Sequence, residues 1–307
     1  MNQPVYIRSA ACISPRQGEP DYRTLLDPRQ IRRMSRIIRM GVAAALTCLR
    51  EAGIASPDAI VTGTAYGCLE DTGLFLRSIV ERKEEMLQPA PFIQSTHNTV
   101  AAQIALLLQC TGYNNTFVHR GSSFESALLD ALLLLADGEA GNVLLGAADE
   151  LTETSRGLLS RLGLYRRTTG GEGAAFFLLT GVPAAGNLAR LDGMSTFYKP
   201  STDMDVEREV LSFLRAQGVE PACIDVVVTG DNGDEKGDRI YREVCTTLFP
   251  GKTNIGFKAE SGEYPTAAAY GLWKAANQFR EGVRRVLLYN HYLGIYHSVY
   301  LLSYAAE

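Results

Sequence analysis

Apolar residues follow two periodic patterns that alternate along the chain. Short runs with β-branched or alternating apolar residues predict strands, and runs with apolar residues three or four positions apart predict helices. The predicted strands are VYIRSAACI, AIVTGTAYG, NNTFVHR, GNVLLGAAD, GAAFFLLTG, LARLDGM, DVVVTGD, NIGFK, RRVLLYNHYL and SVYLLSY. The predicted helices between them are MSRIIRMGVAAALTCLREAG, DTGLFLRSIVERKEEML, NTVAAQIALLLQC, SSFESALLDALLLLADG, DVEREVLSFLRAQG, GDRIYREVCTTLF and YPTAAAYGLWKAANQFREG. Strands that alternate with helices indicate an α/β fold with a largely buried sheet.

The pattern of elements repeats in the two halves of the chain. Each half ends in a pair of neighbouring strands, and each contains a glycine-rich turn between a buried strand and a helix. The segment VPAAGN at 182–187 contains proline and glycine, which favour a connection between the halves. The sequence therefore predicts two related α/β units, residues 1–183 and 184–307.

The composition narrows the class of protein. Hydrophobic residues make up 46% of the 307 residues, enough for a sizeable core, and the net charge of -4 does not suggest a nucleic-acid partner. The six cysteines lie singly, without a CxxC pair or a Cys/His cluster, so we expect no metal, no disulfide framework and no cofactor. The longest apolar run, ALLDALLLLA, is about half a membrane span. We expect a cytoplasmic protein without membrane insertion.

The stretch TFVHRGSSFESALLDALLLLADG predicts a strand, a tight turn and a long apolar helix. A nucleophile at such a helix start would be stabilised as an anion by the amide dipoles, but position 121 is glycine. Ser122 is a substitute candidate that would need a general base, and strand geometry does not aim His119 at the helix start. We expect Ser122 and Ser123 instead to cap the helix, with Glu125 in its first turn.

Several segments, in order, resemble the β-ketoacyl-acyl-carrier-protein synthases, which are condensing enzymes of the thiolase superfamily. They are MSRIIRMGVAAALTCLREAGI, PFIQSTHNTVAAQIALLLQCTGYNNTFVHRGSSFESALLDALLLLADGEAGNVLLGAADE, GEGAAFFLLTG, FKAESGEYPTAAAYGLWKA and YNHYLGIYHSVYLLSY. The match covers most of the chain, and the ordered set is more specific than any single motif. The resemblance implies an α/β thiolase-like fold: duplicated α/β/α layered halves with mixed five-stranded sheets.

The resemblance also locates the family's catalytic set, which is one cysteine nucleophile and two histidines that stabilise the enolate and the oxyanion. Gly121 falls at the cysteine, Gly230 at the first histidine and Glu263 at the second. A slip of one residue would replace Gly230 by Thr229, which is not histidine either. None of the three catalytic side chains is therefore present at its expected position.

Other ionisable residues near these positions have simpler interpretations. Lys258 matches a lysine of the family, and its alternative role is a structural ion pair with Glu260 or Glu263. His291 and His297 lie on the terminal strands, where a neutral histidine is the default. We therefore count Lys258 as only a weak catalytic candidate.

The missing residues imply a protein that has kept the fold and lost condensation. The family contains such members, the chain-length factors, which pair with an active synthase in fatty-acid-like, polyketide or aryl-polyene biosynthesis, although their usual residue at the nucleophile is glutamine. One alternative is an acyltransferase or hydrolase with altered chemistry that uses Ser122 or Glu263. Another is a module that binds an acyl carrier without any reaction.

Two features bear on partners. Arginines are concentrated in RQIRRMSRIIR and RRT, and a basic patch could steer an acidic acyl carrier protein. The candidate carrier-binding residues are Arg32, Arg33, Arg36, Arg166 and Arg167. A solvated basic face is the alternative interpretation. In the thiolase fold the strand that corresponds to NNTFVHR pairs across a dimer interface, so we expect a homodimer or a heterodimer with an active β-ketoacyl synthase.

Overall fold

The structure is a computed structural model that describes residues 4–165, 167–279 and 282–305. Its strands are β1 Val5–Ile13, β2 Ala59–Gly63, β3 Tyr113–Phe117, β4 Asn142–Asp149, β5 Gly173–Thr180, β6 Ala189–Tyr198, β7 Val226–Thr229, β8 Thr253–Gly256, β9 Arg285–Tyr292 and β10 Tyr296–Ser303. Its helices are α1 Pro28–Ile31, α2 Arg36–Ala52, α3 Leu69–Glu81, α4 Pro89–Gln94, α5 Thr99–Leu108, α6 Ser123–Ala136, α7 Glu153–Arg161, α8 Asp203–Ala216, α9 Glu235–Leu248, α10 Lys258–Ser261 and α11 Ala267–Ala276. Within these described ranges, no helix is both long and apolar enough to cross a membrane.

The strands form one mixed sheet whose order shows a duplication. The order is β3-β2-β4-β5-β1-β6-β10-β9-β7-β8, so the second five strands repeat the first five in reverse direction across the sheet. In each half, one central strand (β2 or β7) has two parallel neighbours, while the remaining pairs are antiparallel. The two five-stranded sets are not separate, because β1 and β6 pair over three residues from Val5–Leu191 to Ile7–Ala189.

Three apolar clusters divide the molecule into layers. The central cluster joins α6 and α11 to strands of both halves, so these two helices lie between the two parts of the sheet. Helices α2 and α5 cover the outer face of the first half, and α8 and α9 cover that of the second. Buried strands with apolar residues on both faces, such as β5, fit this arrangement because they are covered from both sides.

The predicted boundary at 183/184 falls in the connection between β5 and β6, and the division into two domains stays a prediction. The buried carboxylate of Asp149, at the end of β4, bonds to both sides of this boundary. It accepts from Thr64 Oγ1 at 2.8 Å and Ala65 N at 2.9 Å in the first half. From the second half it accepts a bond from Thr266 Oγ1 at 2.8 Å.

Some elements differ from the sequence prediction. The strand predicted over NNTFVHR ends at Phe117, because the chain then turns into a short 3₁₀ helix, Arg120–Ser122. Helices α4 and α7 were not predicted, and neither buries any residue, so they lack the apolar periodicity on which the prediction depends.

Candidate functional site

The turn that would carry a nucleophile is closed by two tyrosine rings. Gly121 is buried in the 3₁₀ helix between β3 and α6, after Arg120, whose φ of 54° lies in the left-handed region. A Cβ atom added at Gly121 would lie 2.7 Å from Cδ1 of Tyr292 and 2.8 Å from Cδ2 of Tyr296. These distances are shorter than van der Waals contacts. The space in which a nucleophilic side chain would stand is therefore occupied by the last β-hairpin.

Ser122 stands at the N-cap position of α6, but the predicted capping by the two serine side chains is wrong. Neither Ser122 nor Ser123 makes a side-chain cap on α6. Ser123 Oγ instead accepts from the backbone N–H of His119 at 2.8 Å and donates to the carbonyl of Arg120 at 2.8 Å, so it braces the turn before the helix. Glu125 lies in the first turn of α6, as predicted, where it is buried and accepts from Tyr300 Oη at 2.8 Å.

The orientation of the His119 ring also differs from the one predicted, although the ring is not a general base for Ser122. The ring points toward the start of α6, where Nδ1 lies 2.9 Å from Ser126 Oγ. The chain turns sharply after Phe117, and this turn directs the imidazole to the helix rather than along the strand. Among the described residues, no hydrogen bond joins His119 to the Ser122 hydroxyl.

The position predicted for the first family histidine is equally filled. A Cβ atom on the buried Gly230 would lie 2.6 Å from Asn290 Oδ1 and 3.0 Å from Lys258 Cε, and would collide with Tyr241 Oη. Thr229, the residue given by a slip of one, ends β7 with a buried hydroxyl bonded to Asn254 and Asp231. Neither alignment leaves room for an imidazole here without repacking.

Glu263, which is predicted to stand at the second histidine position, is held by a buried ion pair. Lys258 Nζ donates to both carboxylate oxygens, at 2.9 and 3.0 Å, and to the carbonyl of His291 at 2.7 Å. The Lys258 and Glu263 side chains are 0% and 4% exposed. Asn232 Nδ2 donates a further bond to Glu263. Of the two partners considered for Lys258, Glu263 is the one observed, and Glu260 binds Lys274 instead.

Burial sets the protonation of the groups in this region. It raises the pKa of Glu263, and the positive charge of Lys258 opposes that shift. Burial, reinforced by Lys258, lowers the pKa of His291 well below its usual range, and burial lowers that of His297 to about 4. His291 Nδ1 accepts from Gly294 N–H, so the neutral ring carries its proton on Nε2, 3.2 Å from the Gly237 carbonyl.

The end of β9 contacts two of the three predicted catalytic positions or their partners. The carbonyl of His291 accepts from Lys258, and the ring of the next residue, Tyr292, covers Gly121. Glu263 and His291 line an adjacent cavity of about 610 Å³, together with Arg167. Ser122 does not line this cavity. The sequence prediction missed Tyr292 and Tyr296 as site residues, although the aromatic-rich segment YNHYLGIYHSVY was visible.

The predicted basic residues do not form one patch. Arg32, Arg33 and Arg36 line a second cavity of about 1120 Å³, whereas Arg167 lines the smaller cavity described above. Arg36 forms ion pairs with Glu172 and Glu19, so its positive charge is compensated within the chain and attracts a partner less strongly. Arg166 lies outside the described residues. Among the residues that are described, no group of three or more His, Cys, Asp or Glu side chains could hold a metal ion.

An uncovered apolar face adjoins the free edge of the sheet. Among the described residues, strand β3 pairs only with β2, so its other edge is open there. Large apolar side chains are exposed on β3 and on α5 and α6 beside it, with Tyr113 43%, Leu129 47%, Leu133 47% and Leu106 71% exposed. An open strand edge next to apolar residues is typical of an interface.

Comparisons with known proteins agree with the geometry. Residues 8–155 match the family described as beta-ketoacyl synthase, N-terminal domain. No curated protein sequence shows significant similarity to the chain.

Solved structures match over nearly the whole chain. The ishigamide ketosynthase/chain length factor superposes with a TM-score of 0.84 at 18% identity, covering 99% of this chain and 100% of the other. A beta-ketoacyl synthase from Burkholderia phymatum STM815 gives 0.76 at 15% identity, with 99% and 100% covered. A type II PKS ketosynthase structure with its acyl-carrier protein, AntDE:AntF, gives 0.76 at 14% identity, with 98% and 99% covered. The predicted thiolase-like fold and the resemblance to β-ketoacyl synthases are thereby confirmed: the first half of the chain matches their N-terminal domain, and the whole chain has their fold.

Proposed function

We propose that the chain is a non-catalytic subunit of the chain-length-factor type, which pairs with an active β-ketoacyl synthase. The observation that carries this proposal is the state of the three catalytic positions. Gly121 has no side chain and lies under Tyr292 and Tyr296, Gly230 contacts Lys258 and Asn290, and Glu263 is neutralised by Lys258. A Cys-His-His set is replaced by packing and by an internal ion pair, and neither offers a reactive group.

The open edge of β3 supports pairing with a second subunit of the same fold. Two β3 strands brought together about a two-fold axis would extend the sheet, and the exposed Leu129 and Leu133 would be covered. The match to the ishigamide ketosynthase/chain length factor, a protein whose name pairs the two activities, is consistent with such an assembly. A homodimer and a heterodimer would use the same face.

Binding of an acyl carrier is the second part of the proposal. One of the similar structures holds an acyl-carrier protein on its ketosynthase. In this chain Arg32 and Arg33 are exposed on one face, where they would attract an acidic carrier. We place the pathway among fatty-acid-like, polyketide or aryl-polyene biosynthesis, and the two domains at 1–183 and 184–307.

Intact mass spectrometry tests this function against an enzyme with rebuilt chemistry. The purified chain is incubated with a panel of acyl-carrier and acyl-CoA donors, and any adduct is mapped by peptide mass. We expect no acyl adduct, because no base in the described part of the chain is bonded to the Ser122 hydroxyl and Glu263 is engaged by Lys258 and Asn232. An active ketosynthase treated in parallel is the positive control. A stable adduct on Ser122 or on a cysteine would favour the acyltransferase or hydrolase instead.

Association is measured separately by co-expression with an active β-ketoacyl synthase, followed by light scattering of the purified complex. We expect a heterodimer whose product length differs from that of the synthase alone. A chain that remains monomeric with every synthase tested, and binds acyl carrier only, would instead be a carrier-binding module.

A further inference from the structure

The helices α3 and α4 form a hairpin, residues 69–94, that is attached to the sheet by few buried contacts. The two helices pack mainly against each other, and the ring centroids of Phe75 and Phe92 lie 5.1 Å apart. In this part of the described chain, Asp71 is the one buried residue of α3, and α4 buries none. A segment of this kind belongs to the low-stability part of a structure, so it opens locally before the core does.

The hairpin forms one side of the cavity of about 1120 Å³. Asp71 and Leu74 line this cavity from α3, and Ile93 lines it from α4, while the start of α2 and the helix α5 form the opposite side. None of the lining residues is shared with the cavity beside Glu263. Movement of the hairpin would therefore change access to the larger cavity and leave the surroundings of Glu263 unchanged.

The start of α3 rests on a buried carboxyl group. Glu150 directly follows β4 and is 4% exposed, and its Oε1 accepts from the backbone N–H of Glu70 at 3.0 Å. Further side-chain bonds join the hairpin to the segment before α2; they are Asp71 with Ser35 and Gln94 with the Arg33 carbonyl. Water can reach Glu150 from the α3 side only when the start of the helix moves away from it.

The groups around Glu150 are mostly acidic. Four ionisable groups face it from the surrounding elements; they are Cys68 before α3, Glu70 and Asp71 on α3, and Glu172 before β5. The Arg36 guanidinium forms its ion pairs with Glu172 and Glu19, and Glu150 forms none among the described residues. A negative charge on Glu150 is therefore added to other carboxylates in a buried place, which is unfavourable.

This environment changes the proton affinity of Glu150. Burial raises its pKa to about 7 from the ordinary 4.5, and the charges of Glu70, Asp71 and Glu172 add to the rise, whereas the bond from the Glu70 N–H opposes it. Between pH 4.5 and pH 7 the closed hairpin keeps a proton that an opened hairpin releases. The closed state is thus most favoured below pH 4.5, and opening becomes easier as the pH rises to 7.

We propose that the carboxyl group of Glu150 is a pH-sensitive switch for the α3–α4 hairpin, which is closed while this group is neutral and opens more readily once it is ionised. Opening moves the start of α3 away from Glu150 and hydrates the new charge. It also widens the larger cavity and uncovers Cys68, which stands at the N-cap position of α3 and is 0% exposed. This motion does not depend on the proposed pairing with a synthase.

Hydrogen exchange of the full chain at pH 6 and pH 8 tests the switch. Exchange rates are divided by those of an unstructured peptide at the same pH, and the wild type is compared with Glu150→Gln, which keeps an acceptor for the Glu70 N–H and cannot ionise. With a pKa of about 7 when closed and 4.5 when open, protection of amides 72–81 in the wild type should fall about 10-fold from pH 6 to pH 8. In Glu150→Gln it should stay constant, as should the amides of β5 in both proteins.

Three outcomes of this comparison decide the assignment. Equal falls in the wild type and in Glu150→Gln, or constant protection in both, would overturn it. A fall that persists in Glu150→Gln and disappears in Asp71→Asn would place the switch at Asp71 and would also overturn it. Glu70→Gln removes a neighbouring charge and lowers the pKa of Glu150, so the fall should move to lower pH if the assignment is right.

Alkylation of Cys68 measures the opening independently. The ratio of the wild-type rate to the Glu150→Gln rate cancels the pH dependence of the thiol chemistry, and it should rise about 10-fold from pH 6 to pH 8. Cys48 on α2, which is also 0% exposed, is the matched control, and its ratio should not change. A Cys48 ratio that rises together with that of Cys68 would show general unfolding and contradict a local opening of the hairpin.

Discussion

The buried pair of Lys258 and Glu263 gives the sharpest prediction about the candidate site. We consider Lys258→Met, which keeps the length of the side chain and removes its charge. Among the described residues, the change leaves the buried Glu263 with Asn232 as its remaining side-chain partner, and it also removes one of the two donors to the His291 carbonyl, the other being Tyr241 Oη. The residue is fully buried, so solvent does not replace the lost contacts.

The expected magnitude follows from opposing electrostatic contributions. At 2.9 Å and an effective dielectric constant of about 20, the attraction of the two charges is about 6 kcal/mol. Desolvation of the two ions costs several kcal/mol each, so the intact pair contributes little net free energy of unfolding. Removing one partner leaves an uncompensated charge, and we expect Lys258→Met to lower the free energy of unfolding by about 3–5 kcal/mol. The double change Lys258→Met with Glu263→Leu removes both charges and should cost much less than the sum of the single changes.

Urea denaturation of the wild type, both single variants and the double variant measures the coupling. The partly exposed pair of Lys274 and Glu260, whose side chains are 22% and 35% exposed, is the control, and Lys274→Met should cost only about 1 kcal/mol or less. If the Lys258 and Glu263 changes were each as mild as this control and strictly additive, the reasoning that the pair is a desolvated structural unit would be refuted.

Three further predictions concern the closed turn, a buried histidine and the open edge. Gly121→Cys should yield no condensation activity, and it should lower the free energy of unfolding by about 1–3 kcal/mol in a thermal melt because the cysteine side chain collides with the tyrosine rings. The control Gly157→Ala, whose added Cβ meets nothing within 4 Å, should not lower the free energy of unfolding. Measurable condensation would show that the assignment of the catalytic positions is wrong. Because burial lowers the pKa of His297 to about 4 from 6.5, its contribution to stability is complete above pH 6.5 and is lost as the pH falls toward 4. Relative to His297→Phe, the wild type should lose about 2 kcal/mol between about pH 7.5 and pH 5 in urea titrations, and parallel pH profiles would exclude this account. Leu133→Glu on α6 should leave the fold intact and abolish dimer formation in light scattering, whereas Leu158→Glu on α7, where the replaced leucine is 55% exposed against 47% for Leu133, should have no effect. Dimers of Leu133→Glu that persist would place the interface elsewhere.

The layers of the fold could be predicted because they depend on local patterns. Buried strands such as β5 and amphipathic helices such as α2 show their period within one segment, and the order of segments then indicates the duplication. The pairing of β1 with β6 was not visible, because a sequence pattern does not show that two sheets share an edge. Helix α7 could not be found because nothing on it is buried.

The candidate site was predictable only as a set of missing residues. The resemblance predicts Gly121, Gly230 and Glu263 as the catalytic positions, but the side chains that fill the space around them belong to distant parts of the chain. Tyr292 reaches Gly121 from a strand about 170 residues later. The serines were misjudged for a related reason, since Ser123 bonds backward to the turn rather than forward to the helix.

The carboxylate of Asp149 has a consequence for how the protein unfolds. Its partners come from residues 64 and 65 on one side and from Thr266 on the other, more than 100 residues away in the chain. Separation of the two halves would break the bond from Thr266 to the buried Asp149 carboxylate, while the bonds from residues 64 and 65 would keep that carboxylate away from water. Together with the helices α6 and α11, which are packed against strands of both halves, this makes partial opening costly. The duplicated architecture should therefore melt in a single cooperative transition rather than half by half.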